Sequence, residues 1–469
     1  MKAFVCPRCG AALKYDIEKE AMTCEHCDSV IRREEYQDYL DKNGLYLTNE
    51  LVCPQCGASM LSYSDTLATF CSYCGSSVAF TRRIVEDSRP DGIVPFSVTK
   101  EQAAGLYENK LNESGFARRW LFENTSQKIL GIYMPYYVYE TVATGHAVTK
   151  GESISRHGST TTVREYRMEF DLEAHYGDTR FDAAEAFPDC ISESADTFDV
   201  KKAEPFATSY LAGFYADGGN VSEDTYTGIV KGLVGDDIRA NGVKYGDITA
   251  DLGNFYPNME IRTRKVLLPV WLNTKRKGDR VSYSVINGQN GDVAAEIPVD
   301  AGRYVKYSVI LAATVAILLN IFLTLKPDLF LLISEIILLI FGIRQRKLAS
   351  DVYVRENHLD DIGRIGIREF AKTAGAGNGP RMGAKGTSWR FSVPFSVRLK
   401  GWWKTLLGLA AGAAVLLSGI VLDWAYYGVA ILSAVLSVWS AIDLIKQQNV
   451  LASRDIPVFT MKRGGDGND

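Results

Sequence analysis

A pattern of four cysteines occurs twice near the start of the chain and constrains its fold more than any other feature. The first copy, CPRCGAALKYDIEKEAMTCEHC, begins at Cys6, and the second, CPQCGASMLSYSDTLATFCSYC, begins at Cys53. Each copy contains two C-x2-C pairs separated by fourteen residues. Paired C-x2-C turns at such a spacing are typical of tetrahedral zinc sites. The sequence therefore predicts two small β zinc ribbons, at residues 1–35 and 51–83, joined by a connector at 36–50.

Each predicted ribbon binds one Zn²⁺ ion through four thiolates. The predicted ligands are Cys6, Cys9, Cys24 and Cys27 for the first ion, and Cys53, Cys56, Cys71 and Cys74 for the second. Four thiolates complete the coordination sphere of Zn²⁺, so both ions are expected to be structural. The start of the chain, MKAFVCPRCG, has no apolar signal core, so we expect the cysteines to face a reducing cytoplasm. The ninth cysteine, Cys190, is interpreted as a buried thiol.

The charge of the ribbon region argues against nucleic acid as its partner. Residues 1–83 contain nine Lys or Arg and eleven Asp or Glu, a balance of 9 − 11 = −2. Two zinc ions, each held by four thiolates, would add further negative charge. Because phosphate binding depends on cationic side chains, we predict protein docking or a purely structural role for the ribbons. Nucleic-acid binding at a membrane remains an alternative.

Residues 84–303 are predicted to form a mixed α+β cytoplasmic domain. A helix is expected after the N-cap residue Thr99, and strands are expected to meet at turns near Gly278 and Gly291. The region contains no nucleophile elbow and no HExxH motif, so we predict that the protein is not an enzyme. Its histidines, His146, His157 and His175, are interpreted as exposed or core residues. The segment GAGNGPRMGAKG, which begins at Gly375, is interpreted as a flexible linker.

Four apolar runs near the end of the chain predict a C-terminal transmembrane α-helical region. Three runs have about twenty residues, the length that crosses a hydrocarbon core, and one is shorter. The runs pair into two predicted helical hairpins, at residues 304–344 and 402–446. The loop between them, at 345–401, is predicted to be cytoplasmic because residues 344–404 contain thirteen Lys or Arg and five acids, a balance of +8. Both termini, including the tail at 447–469, would then also be cytoplasmic.

Two features within the apolar runs suggest specific contacts. Glu335 interrupts the second run, where a charge is costly, and we expect it to be protonated or paired, with Asn320 as a candidate partner. Participation of Glu335 in an ion path is the alternative. Gly408 and Gly412 form a small-residue face that allows close helix approach, within the chain or between two copies in a homo-oligomer.

Several segments resemble a family of bacterial membrane proteins that contain zinc ribbons of the transcription factor IIB (TFIIB) type. The resemblance covers about residues 1–325. The segments that carry it are CPRCGA, CPQCGA, IVPFSVTKEQA, GIYMPYYVYE, EPFATSYLAGF, LLPVWLNTKRKG and NGQNGDV. The family resemblance implies no catalytic activity, and it implies a scaffold or recruiter in membrane-stress assemblies.

The predicted protein is therefore a multidomain chain with two zinc ribbons, a mixed α+β domain and four membrane spans. We expect it to lie in the bacterial inner membrane and to act as an adaptor that docks protein partners there. The alternatives are a membrane-tethered nucleic-acid-binding protein and a small transporter or channel that uses Glu335.

Overall fold

The computed structural model describes most of the chain. The described residues are 4, 6–32, 45–62, 71–76, 81–123, 129–184, 192, 196–219, 221–241, 243–322, 326–357, 381–382, 389–390, 393–400, 402–418 and 423–456. Cys190 and most of the Gly-rich segment at 375–386 lie outside these residues, as does the side chain of Asn320. The predictions for these positions therefore remain predictions.

The described residues form a small N-terminal sheet, a large mixed sheet and a group of C-terminal helices. The strands are β1 Leu13–Asp16, β2 Ala21–Cys24, β3 Val30–Ile31, β4 Leu45–Val52, β5 Ser59–Ser62, β6 Thr81–Ser88, β7 Gly92–Ile93, β8 Ile129–His157, β9 Thr160–Asp182, β10 Glu204–Pro205, β11 Tyr215–Ala216, β12 Lys244–Tyr245, β13 Ile248–Ala250, β14 Asn258–Lys277, β15 Arg280–Asn287, β16 Val293–Ala295, β17 Arg381–Met382, β18 Trp389–Arg390 and β19 Arg454–Asp455. The α-helices are α1 Lys100–Glu113, α2 Thr227–Asn241, α3 Ala301–Phe322, α4 Pro327–Glu356, α5 Phe395–Lys400, α6 Trp403–Leu417 and α7 Asp423–Leu451.

Two long antiparallel strands, β8 and β14, form the centre of the large sheet. They pair continuously from Asn273 opposite Ile129 to Asn258 opposite Thr144. The central part of β14 is buried on both faces, as expected for a run such as KVLLPVWLNT that is rich in aliphatic residues. The predicted mixed α+β region is therefore confirmed, and its helix α1 begins with a capping box at Thr99.

The strands around the second cysteine group belong to this same sheet. Its main path runs β10-β7-β14-β8-β11-β5-β4-β6, and β5 pairs with β11 as well as with β4. One sheet therefore contains strands from both sides of residue 83, where the second ribbon was expected to end. The last part of the predicted connector at 36–50 lies in β4. The physical reason is that β5 would otherwise leave an edge unpaired, and β11 supplies its hydrogen bonds.

Strands β8 and β9 extend beyond the body of the sheet as a long hairpin arm. From Gly145 to its tip near Gly158 the arm is roughly 40 Å long, given the usual rise per residue in a strand. In the described residues β9 pairs only with β8, so its outer edge is open. Apolar side chains lie exposed near the tip, among them Ile154 and the opposing Val163.

One described helix, α7, is long and apolar enough to cross a membrane by length and composition. Helix α6 is apolar but shorter, and α4 continues through the charged sequence RQRKLASDVYVRE to Glu356. The first part of the predicted loop at 345–401 is thus helical. The structure supports a C-terminal helical region, and it supports one candidate span rather than two membrane hairpins. Helices α4, α6 and α7 pack on one another.

The ends of α4 and α7 are tied to the large sheet by a group of charged residues, which we call the helix-end clamp. Its members are Arg280, Glu296, Arg355, Glu356, Arg454 and Asp455. The Glu296 carboxylate lies 2.6 Å from the guanidinium of Arg355 and 3.1 Å from that of Arg454. Arg280 pairs with Glu356 at 2.9 Å and with Asp455 at 3.1 Å. Strand β19, in the predicted cytoplasmic tail at 447–469, pairs with β15.

Candidate metal centres

The four C-x2-C turns share one backbone geometry. In each turn the residue after the second cysteine donates its N–H to the carbonyl of the first cysteine, at 2.8 or 2.9 Å. That residue has a positive φ in every turn, and it is Gly10, Asp28, Gly57 or Gly75. Glycine adopts this conformation without strain and Asp tolerates it, which explains why Asp28 can stand where the other turns have glycine.

The turns bring the eight predicted ligands into two groups of four. Within each group all four sulfur atoms lie within 4.8 Å of one another. The closest pairs are Cys6–Cys27 at 3.6 Å and Cys9–Cys24 at 3.5 Å in the first group, and Cys53–Cys74 at 3.9 Å and Cys56–Cys71 at 3.8 Å in the second. A tetrahedron with Zn–S bonds of about 2.3 Å requires S···S distances of about 3.8 Å. The residues therefore fit a zinc ion in each group.

The first group lies in the small sheet β1-β2-β3, and half of it faces solvent. Cys6 and Cys24 are buried, whereas Cys9 and Cys27 are exposed. The sheet packs on the main domain through Tyr15, whose ring meets that of Tyr210 at 5.1 Å. The hydroxyl of Ser29, 2.9 Å from the Cys27 sulfur, lowers the pKa of Cys27 to about 6. A lower pKa favours the thiolate, which is the form that binds metal.

The second group lies inside the molecule. All four of its cysteines are at most 2% exposed, and they share a core with Ile132, Val270 and Val285 of the large sheet. This core continues without a break from the cysteines to β8, β14 and β15. The second group is therefore an internal part of the main domain rather than a separate ribbon.

Tyr73, between the last two cysteines of the second group, links the metal centre to both β15 and the segment after β11. Its hydroxyl donates to Asp217 at 2.6 Å, and its carbonyl accepts from the Tyr283 hydroxyl at 2.6 Å. Burial raises the pKa of Tyr73 well above its usual value, so the hydroxyl stays a donor. Thr274 also donates to the carbonyl of Ser72. These contacts could not be predicted from local sequence, because the partners lie more than 140 residues away.

We expect the two ions to leave at different rates when the zinc-loaded protein meets a chelator. Cys9 and Cys27 open the first site to solvent, whereas the second site is closed by the core. A colorimetric chelator should therefore remove one equivalent fast and the second at least tenfold more slowly, since access to the second needs local unfolding. A single phase with both equivalents would contradict this assignment of the two sites.

The described histidines form no further four-ligand group with the cysteines or acids of the chain. His146 lies on the exposed face of the arm, 2.9 Å from Asp171, and His175 lies 3.0 Å from Glu173. His157 is exposed at the tip. His26 is exposed and lies beside the first group without being one of its ligands.

Comparison with known proteins finds one similar protein. The chain is 25% identical over 320 residues to YdjG of Bacillus subtilis (strain 168), which is described as an uncharacterized protein. The match covers 64% of this chain and 91% of YdjG. No family model matches the chain, and no solved structure matches it.

Proposed function

We propose that the protein is a membrane-anchored adaptor, whose zinc-bearing cytoplasmic domain docks protein partners at the bacterial inner membrane. The observation that carries this proposal is the helix-end clamp. It joins the sheet that holds the second cysteine group directly to the ends of the apolar helices. A domain attached in this way is held at a fixed position beside the helices, which suits the presentation of a docking surface.

The outer surfaces of the helices support insertion of more than α7 alone. Large apolar side chains of α4, α6 and α7 are exposed, including Ile340, Leu407 and Val438. An exposed apolar surface that extends over several helices is uncommon on a soluble monomer and marks a membrane or protein interface. Four spans in two hairpins, with both termini in the cytoplasm, are part of this proposal.

The inner surfaces of the same helices combine apolar and polar side chains. Ser433, Ser437 and Ser440 follow one face of α7 and are buried. Facing them, Glu335 is 7% exposed and accepts a hydrogen bond from the Ser433 hydroxyl at 2.7 Å. The Lys404 ammonium donates to Asp443. Polar groups inside and apolar groups outside are the arrangement expected of a membrane bundle.

Small residues allow these helices to approach closely within one chain. A Cβ atom added at Gly408 would overlap Leu338, and one added at Gly412 would lie 2.8 Å from the Glu335 carboxylate. The small face that the sequence offers at Gly408 and Gly412 is thus used between α6 and α4. A homo-oligomer through these two glycines stays a prediction, and it would have to compete with this internal packing.

Two surfaces of the domain support a docking role. One is the exposed end of the first cysteine group, around Cys9 and Cys27. The other is the hairpin arm, with its open β9 edge and its exposed Ile154 and Val163. An open edge strand can accept an extended segment of a partner by strand addition.

Crosslinking and pull-down of the full-length protein from membranes tests the proposal. The wild type is compared with a Cys9→Ser/Cys27→Ser variant, an Ile154→Thr/Val163→Thr variant and, as a control, Tyr256→Thr, which alters an exposed loop residue. We expect the protein to stay in carbonate-washed membranes and at least one of the two double variants to lose a crosslinked partner. Extraction of the protein from membranes by carbonate would contradict the proposal. Recovery of the same crosslinked partners with the wild type and both double variants would also contradict it.

A second candidate function, transport of protons or ions, is favoured by one observation at Glu335. Its Oε2 atom is buried and has no hydrogen-bond partner among the described residues. A carboxylic acid in this position could exchange a proton along the buried polar face of α7. Proton flux into liposomes that contain the purified protein would test this function, since it should disappear in Glu335→Gln.

For the adaptor we expect Glu335 to act in helix packing only. Glu335→Gln keeps the size of the side chain and a hydrogen bond to Ser433, so the melting temperature in detergent should stay within about 2 °C of the wild type. Glu335→Leu leaves the Ser433 hydroxyl unpaired and should lower stability by about 1 kcal/mol. A stable Gln variant that loses a measured flux would favour transport instead.

A further inference from the structure

A cavity of about 220 Å³ lies where the large sheet meets the ends of the apolar helices. Its volume is several times the share of one water molecule in the liquid, about 30 Å³. The lining residues that matter for its chemistry are Arg118, Trp120, Lys277, Arg280, Asn449 and Ser453. They come from the segment after α1, from the β14–β15 hairpin and from the end of α7.

Among the residues that the structure describes, three cationic side chains and no carboxylate line the cavity. Arg280 is neutralised by Glu356 and Asp455 in the helix-end clamp. In the described part of the chain, neither Arg118 nor Lys277 has a carboxylate partner, and the only hydrogen bond of the Arg118 guanidinium runs from Nε to the carbonyl of Val299, at 3.0 Å. Two positive charges are therefore available to a ligand in the cavity.

The indole of Trp120 forms part of the wall of the same cavity. Its Nε1 atom is buried and has no acceptor within the residues that the structure describes. The Lys277 ammonium lies 5.7 Å from the centre of the Trp120 ring, which places the two side chains together. An indole nitrogen only donates, as do ammonium and guanidinium groups. The cavity therefore suits an anionic ligand with several acceptor atoms.

The position of the cavity suggests where such an anion comes from. Helix α3 begins three residues after Pro298, which lines the cavity, and Asn449 near the end of α7 binds the backbone of Val299 through both atoms of its amide, at 2.6 and 2.9 Å. The cavity thus lies at the ends of two apolar helices. Basic pockets at this position on the cytoplasmic side of a membrane bind the phosphates of lipid headgroups.

We propose that this cavity binds a phosphate group, and that the group belongs to the headgroup of an anionic phospholipid. The phosphate chemistry follows from Arg118 and Lys277 alone. Only the lipid as its source rests on the proposed membrane attachment. A lipid bound here would hold the helix-end clamp against the bilayer surface.

Native mass spectrometry of the full chain in detergent tests lipid binding, with phosphatidylglycerol and phosphatidylcholine as probes. Titration calorimetry with glycerol 3-phosphate tests the free phosphate. Lys277→Gln and Arg118→Gln should each weaken binding about tenfold, because each removes a charged donor. The matched control, Lys244→Gln, alters an exposed lysine on β12 and should change binding less than twofold. Melting temperatures of all variants verify that they are folded.

The outcomes separate the source of the phosphate from the existence of the site. Preference for phosphatidylglycerol that is lost in Lys277→Gln supports the lipid. Binding of glycerol 3-phosphate alone, lost in the same variant, supports the cavity with a soluble phosphate and overturns the lipid as its source. If folded Lys277→Gln and Arg118→Gln bind both probes as the wild type does, or if the wild type binds neither, the site does not exist. Extraction of the protein by carbonate would refute the proposed membrane adaptor. The calorimetric test of phosphate binding in the cavity would still be valid.

Discussion

Replacing Cys56 with serine is expected to unfold the large sheet, whereas replacing Cys9 is expected to release one zinc ion and leave the sheet folded. Cys56 lies in the core that the second cysteine group shares with β8, β14 and β15. Structural zinc contributes roughly 10–16 kcal/mol of apparent binding energy in small zinc domains, so losing one ligand removes an amount comparable with the whole stability of a domain, about 5–15 kcal/mol. Cys9 is exposed on a peripheral sheet, where the same loss stays local.

Zinc analysis and thermal unfolding of the purified variants measure the difference. Cys9→Ser should retain one equivalent of zinc and the main unfolding transition. Cys56→Ser should accumulate as aggregate or show no cooperative transition. The two variants form a matched pair, because each removes the second cysteine of the first C-x2-C turn in its group. Equal loss of stability in both would refute the distinction between a peripheral and a core metal centre.

Neutralising Glu296 is expected to detach the helices from the sheet. Its carboxylate faces Arg355 and Arg454 and also accepts the backbone N–H of Tyr283 at 3.2 Å. The Glu296 side chain is 13% exposed and that of Arg454 is 5% exposed, so Glu296→Gln removes a negative charge that faces two largely buried guanidinium groups. Removing one partner of a buried ion pair costs about 3–5 kcal/mol.

Thermal unfolding and limited proteolysis of Glu296→Gln in detergent measure this effect. We expect a lower melting temperature and faster cleavage near β19. The control is Glu140→Gln, which disrupts the half-exposed Glu140–Arg264 pair and should cost no more than about 1 kcal/mol. A Glu296 variant as stable as the Glu140 variant would show that the helix-end clamp does not hold the two parts together.

The cysteine spacing predicted both groups of four cysteines correctly because the information is local. A C-x2-C turn needs only a short backbone segment and a residue that tolerates positive φ after the second cysteine. Gly10, Gly57 and Gly75 meet that need, and so does Asp28. The capped helix at Thr99 and the turns at Gly278 and Gly291 were predictable for the same reason.

Which metal centre lies in the core could be decided only by the tertiary structure. The two cysteine motifs have the same spacing, yet the first group is partly exposed to solvent and the second is buried in a core with β14 and β15. The difference comes from Tyr73 and its partners Asp217 and Tyr283, which are distant in sequence and meet only in the folded sheet. A pattern of residues that are close in sequence does not predict such contacts.

The apolar runs show the same division between local and tertiary information. Their composition determined that the end of the chain forms apolar helices. It did not determine that Glu335 accepts a hydrogen bond from Ser433 of α7, or that residues 454–455 pair with the large sheet as β19. Hydrophobic length and charge are properties of one segment, whereas pairing depends on which segments the whole fold brings together. The sequence by itself thus determined the two groups of four cysteines and the helices, and the tertiary structure decided which group is internal and how the helices are attached.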